Sequence, residues 1–184
     1  MLRVGAERST ALQRRLRETA GILPAVIAQR EIDRSTHVMG VARFERFFRT
    51  AARLDVDKQD LKRFSEFINH TIYDLLLRAE AAAKANDRDI IEPFDLPITK
   101  GLQESIHAFR EMDETIELQP ILDYLTARPP LDLAYSDATE ARLPSIAGGL
   151  SVALARTFRI IHPDLKNPET KHRERCFRIF DLLL

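Results

Sequence analysis

The chain has 184 residues, 28 of them basic and 28 acidic, so its formal net charge is zero. That balance excludes a protein wrapped in a general positive field, and 45% hydrophobic residues exclude a disordered chain. One cysteine, Cys176, excludes an intrachain disulfide framework and a cysteine-based zinc site.

Residues 1–38 hold seven Arg, no Lys and four acids, a charge of +3, whereas residues 39–184 carry −3. The first 38 residues are therefore read as a peripheral extension, with short helices expected about Ser9–Thr19 and Pro24–Arg34. Met39 offers an alternative start, which would place residues 1–38 upstream of the protein. Pro24 interrupts the apolar run from Ala20 to Ala28, and no small-residue cleavage site follows, so it does not read as a secretory signal. The longest uncharged run after it contains Pro144 and two glycines and is too short to span a bilayer. A cytoplasmic protein without a membrane segment is expected.

Val41 to Ala52 reads as a short amphipathic helix, with Phe44, Phe47, Phe48 and Ala51 at i, i+3, i+4 and i+7. Asp57 is the expected N-cap of a long helix from Lys58 to Asn86. Its apolar stripe is Leu61, Phe64, Ile68, Ile72, Leu75, Ala79 and Ala82, widened by Phe67, Thr71 and Leu76. Asn86 and Asp87 end it, and Ile90-Ile91 is expected to be extended. Pro93 and Pro97 open a third helix running to about Met112. The second half repeats this outline: a short helix from Glu117 to Ala127, a break at Pro129-Pro130, a long helix from about Ala138 to Ile161, and a last helix from Thr170 to Leu183. The repeat is one of architecture, not of residues.

Short helix, long helix, third helix is the plan of the histone fold. Arg88-Asp89-Ile90-Ile91-Glu92-Pro93-Phe94-Asp95-Leu96 resembles the second-loop signature of archaeal histones and related transcription-factor subunits. That resemblance implies an ion pair between Arg88 and Asp95. Residues 39–184 further resemble a small bacterial family of uncharacterised proteins with two histone folds in one chain. The stretches Leu54-Asp55-Val56-Asp57-Lys58, Phe94-Asp95-Leu96-Pro97-Ile98, Lys100-Gly101-Leu102-Gln103-Glu104 and Leu165-Lys166-Asn167-Pro168 carry that likeness. The resemblance implies an all-α protein in which a first histone fold (39–113) and a divergent second one (114–184) form an intramolecular pseudodimer. Gly148 and Gly149 then mark a helix crossing, expected against Ile68, Thr71 or Ile72, with a kink at Gly-Gly as the alternative.

The same resemblance matches Arg46 and Arg49 to basic DNA-contacting positions of the first helix; Arg43, one turn earlier, and Lys58 and Arg88 beside the loops are further candidate DNA contacts. Asp55 and Asp89 stand where the resembled family is basic, so any DNA binding is expected to be weak and without sequence choice. Solvated helix-face arginines, or a structural pairing of Arg88, are the plainer alternatives. DNA, which implies a nucleoid-associated location, and another protein are the two partners left open. His162-Pro163-Asp164 resembles the loop of J-domain co-chaperones, although the basic face and opening signature of that family are missing. The plainer reading is a proline-containing turn between two helices.

Signs of enzymatic chemistry are thin. His37, His70, His107, His162 and His172 are scattered, with no pair at metal-ligand spacing. No glycine-rich phosphate loop or nucleophile elbow occurs. Cys176, among Phe177, Ile179 and Phe180, reads as a core residue. No catalytic residue, metal, cofactor or small-molecule substrate is expected.

Overall fold

The computed structural model describes residues 37–183. The helices expected between Ser9 and Arg34 lie outside the described residues. Val38, assigned by sequence to the extension, is fully buried, and its carbonyl accepts from Glu117 N at 2.8 Å.

The described part is mostly helical. The first helix, α1 (Val41–Ala52), buries Phe44, Phe47, Phe48 and Ala52. It ends where Arg53 turns left-handed (φ 53°) and its N–H returns to Arg49 O. The long helix α2 (Lys58–Ala85) starts with a capping box: Asp57 accepts from Gln59 N and Asp60 N, and Asp60 accepts from Asp57 N at 3.2 Å. Its stripe is buried from Leu61 to Ala79, as the helical period requires, and only Ala82 at its end is half-buried. Asp87, at φ 54°, closes it and leads to β1 (Ile90–Ile91).

The third helix, α3 (Lys100–Arg110), begins later than the prolines predict. Asp95 holds the intervening segment in a turn, because its backbone N–H bonds Glu92 O and its carboxylate accepts from Glu92 N. Thr99 then caps α3 by accepting from Leu102 N. In the second half α4 (Gln119–Thr126) is followed by β2 (Ala134–Tyr135). The expected single helix from Ala138 to Ile161 is two: a turn of helix α5 (Asp137–Glu140), then α6 (Leu143–Ile161). Pro144 has no N–H to give to Glu140 O, so the chain restarts with Pro144 in the first turn of α6. The last helix, α7 (Thr170–Leu183), falls where the sequence places it.

The two halves share one core. Phe47 and Ile68 from the first half and Ile146, Leu150, Leu154 and Phe158 from the second lie in one buried cluster. The halves are also joined at their loops. Strands β1 and β2 pair in parallel, Ile90 opposite Ala134 and Ile91 opposite Tyr135. The loop between α1 and α2 meets the loop between α6 and α7, where Asp55 N donates to Lys166 O at 2.8 Å. Each half thus gives its first loop to the other's second loop. On α7, Phe177 stacks on Phe67 of α2, with centroids 4.3 Å apart and planes 9° from parallel.

Candidate functional site

The helix-1 arginines are all exposed, and all three are engaged by acids. Arg46 makes a two-pronged pair with Glu114, at 2.7 and 3.0 Å. The Glu114 side chain is only 8% exposed, so Arg46 neutralises a carboxylate that water hardly reaches. The hydrogen bond to Glu114 raises the Arg46 pKa further above its ordinary value. Arg43 bonds Thr115 Oγ1 at 2.5 Å and Glu117 at 3.3 Å. Arg49 lies 3.6 Å from Asp55 in the loop after its helix. Glu114, Thr115 and Glu117 sit in the connection between the halves. Nothing local in the sequence marks them as partners of α1, because they are about 70 residues away in the chain.

At the second loop Arg88 grips Asp95, as the sequence motif implies. The Asp95 side chain is 2% exposed and that of Arg88 32%. The guanidinium also lies over the exposed ring of Phe94, 4.9 Å from its centroid. Arg88 thus fastens the turn that leads to α3, while Asp89 beside it is exposed. Lys58 is exposed in the first turn of α2.

The Gly-Gly pair does mark a close approach, and α6 runs unbroken through it. The element that comes closest is α3, not the expected Ile68, Thr71 or Ile72 of α2. A Cβ added to Gly148 would overlap the Phe109 ring, and one on Gly149 would meet Ile106, including its backbone N at 3.0 Å and Cα at 3.1 Å. Helix α3 folds back over α6 and takes the space that the missing side chains leave.

Residues 44–181 match a family described as a domain of unknown function, DUF1931. The chain belongs to this family. A crystal structure of a Thermus thermophilus protein is 55% identical, covers 80% of this chain and 99% of its own, and superposes with a TM-score of 0.76. A crystal structure of an Aquifex aeolicus protein shares the fold at 24% identity and TM-score 0.67, over 78% of this chain and 94% of that one. Two uncharacterised proteins of Aquifex aeolicus (strain VF5) are 27% identical over 111 residues and 28% identical over 141 residues. The matches cover 60% and 70% of this chain; the chain spans 65% of the length of the first relative and 82% of the second.

In this DUF1931 protein the remaining sequence candidates resolve as follows. His162 closes α6 and is partly buried, its ring 4.7 Å from that of His172. Burial lowers its pKa, and His172, Arg175 and Lys171 lower it further. Pro163 is exposed, and its carbonyl accepts from Arg159. The tripeptide therefore forms a turn whose imidazole faces inward. Cys176 is fully buried, and burial pushes its thiol up to about 11, which fits a core residue. No cluster able to hold a metal ion occurs among the described residues. No described helix is long and apolar enough to cross a membrane.

Two polar clusters that the sequence did not reveal tie the halves together. Arg173 on α7 grips Asp60 in the first turn of α2, and both side chains are mostly buried. Burial raises the Asp60 pKa, against the lowering pull of Asp57 N–H and Arg173. Glu80 accepts from Lys84 Nζ at 2.7 Å and from Asp132 N at 2.8 Å, holding the segment before β2 on α2.

Proposed function

We propose that this protein is a non-catalytic scaffold of two histone folds paired within one chain, and that it binds a macromolecule. The observation that carries the reading is the reciprocal loop pairing, β1 with β2 at one end and Asp55 with Lys166 at the other. A histone fold has a long helix too apolar to stand alone. Pairing two of them head to tail brings the first loop of each beside the second loop of the other. The shared core and the Arg88–Asp95 pair support the same reading.

Duplex DNA, bound weakly and without sequence choice, is the first partner we propose, with a cytoplasmic, nucleoid-associated location. The test is a fluorescence-anisotropy titration of the full chain with a duplex at about 50 and 200 mM salt. Binding through phosphates weakens steeply between those concentrations. Absence of binding at the lower salt removes DNA. A protein partner is the second reading, and the engagement of Arg43, Arg46 and Arg49 by acids favours it. Freeing Arg46 for a phosphate would strand the Glu114 carboxylate, which a protein-binding role does not require.

A further inference from the structure

Positive charge is concentrated away from α1. Residues 156–178 contain seven basic and three acidic residues, inside a body whose net charge is negative. Position on the helices then sorts these charges. On α7 Cys176 and Phe180 face the core. Lys171, Arg175 and Arg178 recur at i, i+4 and i+7 on the opposite side, and all three are exposed. Glu174 and Asp181 lie on another flank, with Phe177, lining an open groove of about 550 Å³ against Arg63 and Phe67 of α2. The outer face of α7 therefore carries three exposed cations in a row, with exposed Glu174 at its edge.

The end of α6 continues this face. Lys171 and Arg175 lie close enough to act electrostatically on His162, the residue that closes α6. Arg159 reaches into the same turn, at Pro163 O, and Arg156 is exposed one turn earlier. Lys166 is exposed on the loop between the two helices. Among the described residues Lys171 pairs with Glu169 at 2.9 Å and Arg173 with Asp60. Arg156, Lys166, Arg175 and Arg178 make no ion pair there. An exposed cation without a counter-charge has its field available to a ligand, whereas those of α1 are already neutralised.

We infer that the outer face of α7, with the end of α6 and the loop between them, is a docking surface for the phosphate backbone of a nucleic-acid duplex. This rests on the nucleic-acid reading above and moves the contact from α1 to the opposite half. Guanidinium groups suit phosphate oxygens because their forks donate two parallel hydrogen bonds. A protein interface needs a desolvated apolar centre. Here the strongly exposed apolar residues are Ile160 near the end of α6 and Leu182 with Leu183 in the last turn of α7, separated by more than twenty residues of chain. A single strand needs aromatic rings to stack on, and the strongly exposed ring, Phe94, belongs to the β1 loop.

The test compares the full chain with two variants, one replacing Arg156, Lys166, Arg175 and Arg178 by Ala, the other replacing Arg43 and Arg49 by Ala. All six side chains are exposed, and circular dichroism checks that each variant folds. The probe is a fluorescent duplex of mixed sequence, titrated at several salt concentrations. The first variant is expected to lose more than about tenfold in affinity at low salt, with the slope of log K against log salt falling by about three to four. The second is expected to keep most of its affinity. If the unaltered chain binds and the first variant binds equally well, the docking surface is wrong while the nucleic-acid reading stands. If the unaltered chain does not bind, both fall. Retention of polyglutamate but not the duplex, lost in the first variant, assigns the face to an acidic protein and overturns the nucleic-acid assignment.

Discussion

Replacing Gly149 by Ala sets two effects against each other. In the interior of α6 the change should stabilise the helix by about 1 kcal/mol, because Ala loses less backbone entropy than Gly. The tertiary structure opposes it. The new Cβ would overlap the Ile106 side chain and press on the Ile106 backbone at 3.0 and 3.1 Å. A side chain can rotate away, but the backbone moves only if α3 lifts off α6. Overpacking of a tight core costs about 1–3 kcal/mol, and the upper part of that range applies where backbone is hit. The expected net effect is a loss of about 1–2 kcal/mol, lowering the thermal midpoint by about 3–6 °C. Gly101→Ala provides the matching control. Gly101 lies in α3 with nothing within 4 Å of its added Cβ, so the same change there should raise the midpoint. Thermal unfolding followed by circular dichroism measures both. A Gly149→Ala midpoint equal to or above that of the unaltered chain would refute the close approach of α3 and α6.

Other outcomes follow from the polar clusters. Asp95→Ala should cost about 2–3 kcal/mol in urea unfolding, since it strips both Arg88 and Glu92 N–H of their acceptor; an unchanged midpoint would count against the clamp. Arg46→Ala should lower the urea midpoint clearly, because Glu114 is left buried without its counter-charge; a purely solvated arginine would leave the midpoint where it was. His162 has a lowered pKa in the folded state, so the unfolded chain binds a proton there more readily. Its contribution is therefore complete above the ordinary imidazole range and declines as pH falls through about 6.5. His162→Gln should flatten the difference in urea midpoint between pH 7.5 and 5.5, and an undiminished difference would place the titration elsewhere. Cys176 should resist a thiol reagent at pH 8 in the folded protein and react fully in urea.

Much of the fold was legible because helix periodicity is local. The stripe from Leu61 to Ala79 sets the length and buried face of α2, and Asp57 its start. The Arg88–Asp95 clamp was legible through the resemblance of its loop to the archaeal-histone signature, its two members standing seven positions apart on a single loop. Prolines were the ambiguous local signal. Pro93 and Pro97 have the form of a helix opening, but the grip of Arg88 on Asp95 keeps that segment a turn. Pro144 falls within an apolar pattern that continues on both sides, yet it marks a restart after a missing N–H.

The site was legible in position and not in electrical state. Three arginines at one helix face looked available to phosphates, yet which acids meet them depends on where the connection between the halves passes. The Gly-Gly pair announced a close approach without saying to what. Sequence by itself determined most of the helices (though not the start of α3 or the break between α5 and α6), which faces are apolar, and that the net charge of the body is slightly negative. The tertiary structure decided which loops pair, that α3 rather than α2 comes closest to the glycines, and that α1 is neutralised while α7 is not. The physical reason is range: backbone hydrogen bonds and periodic burial are fixed by residues a few positions apart, whereas charge compensation and helix crossing depend on residues that only folding brings together.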